Sequence, residues 1–393
     1  VGVNVPNPLN PLLPAVPSLK AQTAAYLAAN GGKADANALY TVWGGANDLF
    51  AVAGGAPATA TISQSVASQV GIVSSLKAAG ARYVMVPNLP DIGITPQFIA
   101  GGPVAQAQAT GLAMAYNDAL YGTLAAQGLE VIPLDTFGML REIVANPGAY
   151  GFANVTNMAC LSGQSISCVP TGLARPDAAS SYMFADGVHP TTRTHEILAQ
   201  YAVSVIEGPR ATQMVARSAL AGGRARIDQV ATHLARGQAD GTHWWGGVRA
   251  DQQRLASGDL YDGIAPEGLF GVDWIKQGRA VGLFAGFGQM NADFGNRGGE
   301  FDLGQTTVGV FGSLEDGALW VNGQASYSWL DADIQRQVNL GPAVRLHNGQ
   351  ADGSTLAVAV HAGWELGEGA LRHGPVLGVS FQDTQLDAYA ETG

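Results

Sequence analysis

The sequence predicts an α/β unit with a mostly parallel sheet, then a linker helix, then an antiparallel transmembrane β-barrel that is only partly present. Three observations carry this. Between about residues 20 and 207, short apolar runs alternate with longer helical patterns, the arrangement that buries a parallel sheet beneath helices. Residues 209–240 are rich in Ala and Gly and keep a helical pattern. From residue 241 to 393 the apolar period drops to two. The expected boundaries are therefore 1–208, 209–240 and 241–393.

Residues 1–17 carry Pro6, Pro8, Pro11, Pro14 and Pro17 and read as loop. A helix from Ser18 to about Ala29 ends at Asn30-Gly31-Gly32. Ala38–Trp43 is a buried strand that delivers Gly44-Gly45-Ala46-Asn47-Asp48 at its carboxyl end, where ligand sites of open α/β sheets lie. Ile62, Val66, Val70, Val73 and Leu76 mark one face of a long helix. The run Arg82–Pro87 is the next strand. Gly102–Gln127 follows as helix, Glu130–Leu134 as strand and Thr136–Asn146 as helix. Residues 148–183 read as a loop-rich insertion, and a helix over Thr191–Ile206 closes the unit.

Beyond Pro209, Ala211–Gln238 reads as a separate helix with Arg210, Arg217, Arg224, Arg226 and Arg236 near or along it. The period-two segments include Val281–Phe287, Leu319–Trp329, Leu356–Leu366 and Leu377–Phe381, with looser stretches near 268–276 and 305–315. One face of each is apolar and the other small or polar, the pattern of a transmembrane barrel strand. Trp320, Tyr327, Trp329 and Trp364 suit aromatic girdles at the membrane interfaces. A soluble sandwich also alternates, but a face of Gly, Ala, Ser, Asn and Gln makes a poor surface for one. The arginines of the linker helix are expected to meet lumenal carboxylates such as Asp273 or Glu365.

A net charge of −11 argues against a nucleic-acid partner by electrostatics. No run of 18 apolar residues predicts a membrane-spanning helix. Cys160 and Cys168 lie in a polar loop and fit either a small disulfide or two thiols. The histidines outside 180–200 have no ligand spacing, so no metal and no cofactor are expected.

The chemistry-bearing stretch is Asp186-Gly187-Val188-His189-Pro190-Thr191. An aspartate three residues before a histidine, in a turn leading into a helix, can orient the imidazole as a general base. By itself Asp-x-x-His is a weak motif that fits a solvated turn better, and Asn47-Asp48 equally fits a turn capping a helix. His195, on the following helix, is read as packing.

Together Gly45-Ala46-Asn47-Asp48 and Asp186-x-x-His189 resemble the third and fifth blocks of the GDSL, or SGNH, esterases and lipases. Val86-Pro-Asn-Leu-Pro-Asp91 with Thr95-Pro96 resembles a segment of its bacterial members. The resemblance implies an SGNH-hydrolase, flavodoxin-like passenger domain that cleaves a small-molecule or lipid ester. It further implies His189 as general base, Asp186 as its orienting carboxylate and Asn47 as oxyanion donor, with Asp48 as structural support. Joined to a helix and a barrel, such a domain resembles an esterase autotransporter. This implies a monomer held in outer-membrane lipid, its passenger on the cell surface or secreted.

The chain departs from this pattern in lacking any Gly-Asp-Ser, the block that holds the family's nucleophile. Ser162, Ser165, Ser167, Ser180 and Ser181 lie near His189 in sequence, but none sits in the tight glycine turn that exposes a nucleophile. Six or seven strands are countable, fewer than the resemblance implies. The sequence therefore reads as an internal fragment, without a signal peptide, whose serine precedes Val1 and which is inactive alone. Phe50, Pro87, Phe98 and Phe184 are the expected pocket walls. A passenger that has lost its serine and serves adhesion is the competing reading. A soluble esterase with a β-rich accessory domain is the third.

Overall fold

The computed structural model describes residues 1–2, 15–235, 239–256, 259–296, 298–367 and 373–392. Most of the proline-rich opening and Arg236 lie outside them. The chain divides into two units, Val1–Ile206 with Asn339–Ala343, and Glu207–Val338 with Val344–Gly393.

In the first unit, α1 (Leu19–Ala29), β1 (Leu39–Thr41), α2 (Ala46–Ala53), α3 (Ala58–Ala78), β2 (Tyr83–Pro87), α4 (Pro96–Ala100), α5 (Gly102–Ala126), β3 (Ile132–Leu134) and α6 (Thr136–Ala145) follow in order. The strands form a parallel sheet in the order β1-β2-β3, with Tyr40 opposite Val84 and Val86 opposite Pro133. β2 is the central strand and the most apolar, and its Val84, Met85 and Val86 are buried, as a strand covered on both faces must be. Val66, Val70, Val73 and Leu76 of α3 share one core with Ala113, Tyr116, Leu120 and Leu124 of α5 and with Val84 and Val86. The helical stripe read from the sequence is the stripe that packs. Ser18 caps α1 by accepting from the Ala21 N–H at 3.2 Å.

Residues 148–183 are more ordered than their composition suggests. They contain β4 (Asn154–Met158) and α7 (Ala178–Ser181), and β5 (Tyr182–Phe184) follows and pairs in parallel with β4. β4 is mostly exposed and polar, so it shows no alternation to read. Cys160 and Cys168 are joined in a disulfide, Cα to Cα 5.7 Å.

Helix α8 runs from Thr192 to Leu234 without a break, through Pro209. The sequence suggests two helices there, because a proline removes one helical hydrogen bond and crowds the preceding turn. The turns after Pro209 are held by burial of Ala211, Met214, Val215 and Ala219 against the second unit's sheet, which offsets that local cost.

That sheet comprises β6 (Gly241–Leu255), β7 (Tyr261–Lys276), β8 (Arg279–Phe294), β9 (Gly299–Asp316), β10 (Leu319–Leu340), β11 (Ala343–Trp364) and β12 (Val376–Leu386). The order β12-β11-β10-β9-β8-β7-β6 is a simple antiparallel meander. The turn between β7 and β8 is the dipeptide Gln277-Gly278 with φ of 53° and 71°, the left-handed pair that a twisted two-residue hairpin requires. The inner face of the sheet wraps the second half of α8.

The outer face is a band of apolar side chains, Val281, Leu283 and Phe287 on β8, Val308 and Val310 on β9, and Leu356, Val358 and Val360 on β11. Phe287 and Trp329 both stand opposite Thr306, so they share one level, with Tyr327 packed against Trp329 at 5.0 Å. Past that level the polarity inverts. Asp293, Glu300, Asp302, Asp331 and Asp333 face outward, while Phe294, Phe301, Leu303, Leu330 and Ile334 face α8. The expected apolar-out, polar-in rule thus holds only along the apolar band. Trp364 and Trp329 are outward, but Trp320 lies on the inner face, over Gly363. It belongs to the row of Asn322, Gln324, Ser326 and Ser328, not to a girdle.

The arginine pairing also differs in detail. Arg226 is buried and bonds to Glu267 of β7, to the Ser328 hydroxyl at 2.7 Å and to Gln305. Asp273 instead meets two imidazoles, with His243 Nδ1 at 3.2 Å and His233 Nε2 at 2.5 Å. Which inward carboxylate an arginine reaches depends on the depth and rotation of the helix, and neither is encoded in local pattern.

Candidate active site

The turn after β5 is built by its own aspartate. Asp186 Oδ1 accepts from the backbone N–H of Val188 at 3.0 Å and of His189 at 2.8 Å, the short-range loop that makes Asp a turn residue. Ala185 N–H closes the turn on the His189 carbonyl at 2.8 Å, and Thr191 N–H returns to the Met183 carbonyl at 3.0 Å. The same carboxylate holds the imidazole, since His189 Nδ1 lies 2.9 Å from Oδ1 and 2.8 Å from Oδ2. With Nδ1–H donated to Asp186, the lone pair is on Nε2. The His189 side chain is 66% exposed, whereas Asp186 is 6% exposed. This is a buried anion orienting an accessible base.

Burial works against the Asp186 charge, but the Ser165 hydroxyl and the N–H groups of Val188, His189 and Ser165 outweigh it. They hold the carboxyl well below the usual carboxylate range. A depressed folded-state value contributes stability that is complete above the ordinary aspartate value of about 4 and is lost as pH falls toward the folded value. The gap in unfolding midpoint between wild type and Asp186→Asn is therefore expected to be constant near neutrality and to narrow below about pH 4. A thermal melt across that range, giving a gap independent of pH, would remove this account of the carboxylate.

Asn47 is exposed in the first turn of α2. Gly45 caps that helix with φ of 114°, and a Cβ there would sit 2.4 Å from the Tyr116 ring. Tyr116 is itself fixed, donating to Gln69 Oε1 at 2.7 Å, and Gln69 Nε2 donates to the Val42 carbonyl at 3.1 Å. The glycine lets the turn lie against this buried network. Asp48 accepts from the Val1 nitrogen at 2.8 Å.

Helix α4 links the two blocks. Phe50 of α2 stacks on Phe98 of α4 at 6.2 Å, and the Gln97 N–H donates to the Gly187 carbonyl at 2.9 Å. Of the four expected pocket walls, Pro87, Phe98 and Phe184 are core residues, and only Phe50 keeps partial exposure. His195 Nδ1 lies 2.9 Å from the carbonyl of Thr191, the residue that precedes α8, a local structural contact.

The Val86–Asp91 segment is a polar scaffold. Asn88 accepts from Thr136 and the Phe137 N–H and donates to Asp135 at 2.7 Å. Asn117 clamps the Leu89 backbone from both sides, at 2.7 and 2.8 Å. Asp91 accepts from Thr110 at 2.6 Å and Arg141 at 2.7 Å. Polar residues bracketed by prolines at a strand end signal such a scaffold, but their partners, 19 to 50 residues away, carry no local sign.

Sequence reasoning weighed Ser165 only as a nucleophile and missed its contact with Asp186. Ser165 N–H donates to Asp186 Oδ2 at 3.0 Å. As a nucleophile Ser165 is misplaced, because it meets the carboxylate on the Nδ1 side of the imidazole and not Nε2. Ser162 and Ser180 spend their hydroxyls on the Gln164 and Asp177 carbonyls.

Comparison with known proteins adds two family matches. Residues 6–202 match the GDSL-like Lipase/Acylhydrolase family, and residues 244–393 match the Autotransporter beta-domain. Esterase EstA of Pseudomonas aeruginosa is 29% identical over 381 residues, covering 92% of this chain and 58% of its own length. Lipase 1 of Photorhabdus luminescens is 24% identical over 455 residues, covering 95% of this chain and 67% of its own. The GDSL esterase/lipase APG of Arabidopsis thaliana is 28% identical over 142 residues, 32% of this chain and 40% of its own. The chain thus spans 58% of the length of the esterases of Pseudomonas that it matches.

Proposed function

From the premise that this chain belongs to the GDSL-like lipase/acylhydrolase family, we propose that the protein hydrolyses carboxylic esters by a Ser-His-Asp mechanism. The observation that carries this reading is the Asp186–His189 contact, with both carboxylate oxygens on Nδ1 and Nε2 left accessible. In this reading a serine hydroxyl attacks the ester carbonyl while Nε2 takes its proton, and the same nitrogen then protonates the leaving alcohol. Asp186 fixes the tautomer and stabilises the imidazolium. The Asn47 side-chain amide donates to the oxyanion.

The nucleophile is proposed to come from a segment not contained in these 393 residues, since they hold no Gly-Asp-Ser and Ser162, Ser165 and Ser180 are engaged elsewhere. The chain by itself is then expected to show no turnover of a short-chain p-nitrophenyl ester. Turnover by purified chain, abolished by a serine-directed phosphonate, would place the nucleophile inside it. In the full-length protein, Asn47→Ala is expected to lower kcat about 10²–10³-fold with KM little changed, the effect of deleting one oxyanion donor. An unchanged kcat would remove Asn47 from the site.

The autotransporter β-domain makes this an outer-membrane protein whose first unit is surface-exposed or secreted. The apolar band of the sheet is the surface proposed to meet lipid. The substrate is proposed to be a small-molecule or lipid ester, and the protein to act as a monomer. The proposed division of labour is passenger over 1–208, linker over 209–240 and barrel over 241–393.

A further inference from the structure

Ser165 contacts Asp186 from 21 residues away, and the loop that carries it is otherwise tied at its feet, where the Leu161 N–H donates to the Gly172 carbonyl at 2.9 Å. Ser165 opens a short 3₁₀ turn, Ser165–Ser167, within the span closed by the Cys160–Cys168 disulfide. The large apolar side chains of that span point outward: Leu161 is 72% exposed and Ile166 67%. Core packing therefore does not fix it. One foot is anchored beside the site, since the Cys160 N–H donates to the Ala185 carbonyl at 2.9 Å, one residue before Asp186. The disulfide returns Cys168 to that same foot and so keeps Ser165 over the carboxylate.

The two oxygens of Asp186 are held differently. Oδ1 takes its backbone donors from the turn itself, Val188 and His189. Oδ2, 2.8 Å from Nδ1, takes its backbone donor from Ser165. Without that donor only the Oδ1 bonds to the turn oppose rotation of the carboxylate about its Cβ–Cγ bond. Both oxygens would then no longer be presented to the imidazole.

The geometry points to Ser165 as a positioning residue for the Asp186–His189 pair, held in place by the Cys160–Cys168 bridge. This rests on the hydrolase reading above, and supplies the part of the site that neither sequence block contains. It also makes the pair sensitive to reduction of a disulfide that touches no reacting atom.

Two variants test it in the full-length protein. Cys160→Ser with Cys168→Ser frees the loop. Ser165→Pro deletes the N–H at the first position of a helical turn, where proline fits without disturbing the turn. Each is expected to lower kcat about tenfold or more on a short-chain p-nitrophenyl ester, with KM within about twofold, as small misplacements of a catalytic group do. Ser165→Ala, which keeps the N–H, is expected to fall between them and wild type. The downfield Nδ1–H proton resonance of His189, assigned by its loss in His189→Ala, is expected to broaden or vanish in the first two variants. Dithiothreitol should reproduce the cysteine result in wild type, and reoxidation should restore it. Wild-type kcat and an unshifted resonance in both variants would overturn the proposal. Retained turnover in His189→Ala would instead sink the hydrolase reading, and the resonance would still decide the role of Ser165.

Discussion

In the full-length protein, His189→Ala is expected to lower ester turnover by about 10⁴-fold or more, the loss seen when a general base is removed from a triad. The reason is local. Nε2 is the group proposed to take the serine proton, and the only other imidazole near it in sequence, His195, is bound to the Thr191 carbonyl. Asp186→Asn should approach the same loss by a different route. An amide in place of the carboxylate can present its N–H to Nδ1 and so favour the wrong tautomer, while nearly preserving the shape of the turn. The two losses should not add, because residues of one triad act as a unit. Membrane assembly is a separate matter, because both residues lie in the first unit. Heat-modifiable migration of the barrel should be unchanged in both variants. Turnover within tenfold of wild type in His189→Ala would refute the assignment.

The parts of this site legible in the sequence are those whose chemistry is local. Asp186 and His189 are three residues apart, so turn and tautomer are set within one hexapeptide. Gly45 and Asn47 stand at a strand-to-helix junction readable from the apolar run before them. Ser165 is different, because its role depends on a disulfide that brings a polar loop back over Asp186, and no periodicity marks that. The same distinction runs through the fold. The buried stripe of α3 and the central strand β2 announce themselves, whereas β4 is an exposed polar strand with no alternation. In the barrel, the parity of the alternation places Trp320 on the same face as Asn322. Its aromatic character suggested a girdle, and parity was the better guide. What alternation does not carry is membrane depth. Asp302 and Asp331 share their faces with Val308 and Trp329, and only the registered sheet shows where the apolar band gives way to charge.

The second large effect concerns Arg226. Its guanidinium is buried between α8 and the sheet, bonded to Glu267, Gln305 and Ser328. Arg226→Met would leave the Glu267 carboxylate desolvated without a full partner, although Arg249 stands nearby. Breaking one side of a buried pair in this way costs about 3–5 kcal/mol. The expected result is a barrel that loses heat-modifiable migration at a distinctly lower temperature than wild type. Arg226→Met with Glu267→Gln should recover most of that loss, because no unpaired charge remains and the methionine still fills the space along α8. Glu267→Gln alone should cost less than Arg226→Met alone, since Gln305 and Ser328 still accept from the arginine. That ordering separates a paired charge from simple packing. If the double variant is as unstable as the sum of the singles, the ion pair is not what anchors the helix. The apolar cluster of Met214, Val215, Phe301 and Leu303 would then carry the anchoring by burial alone.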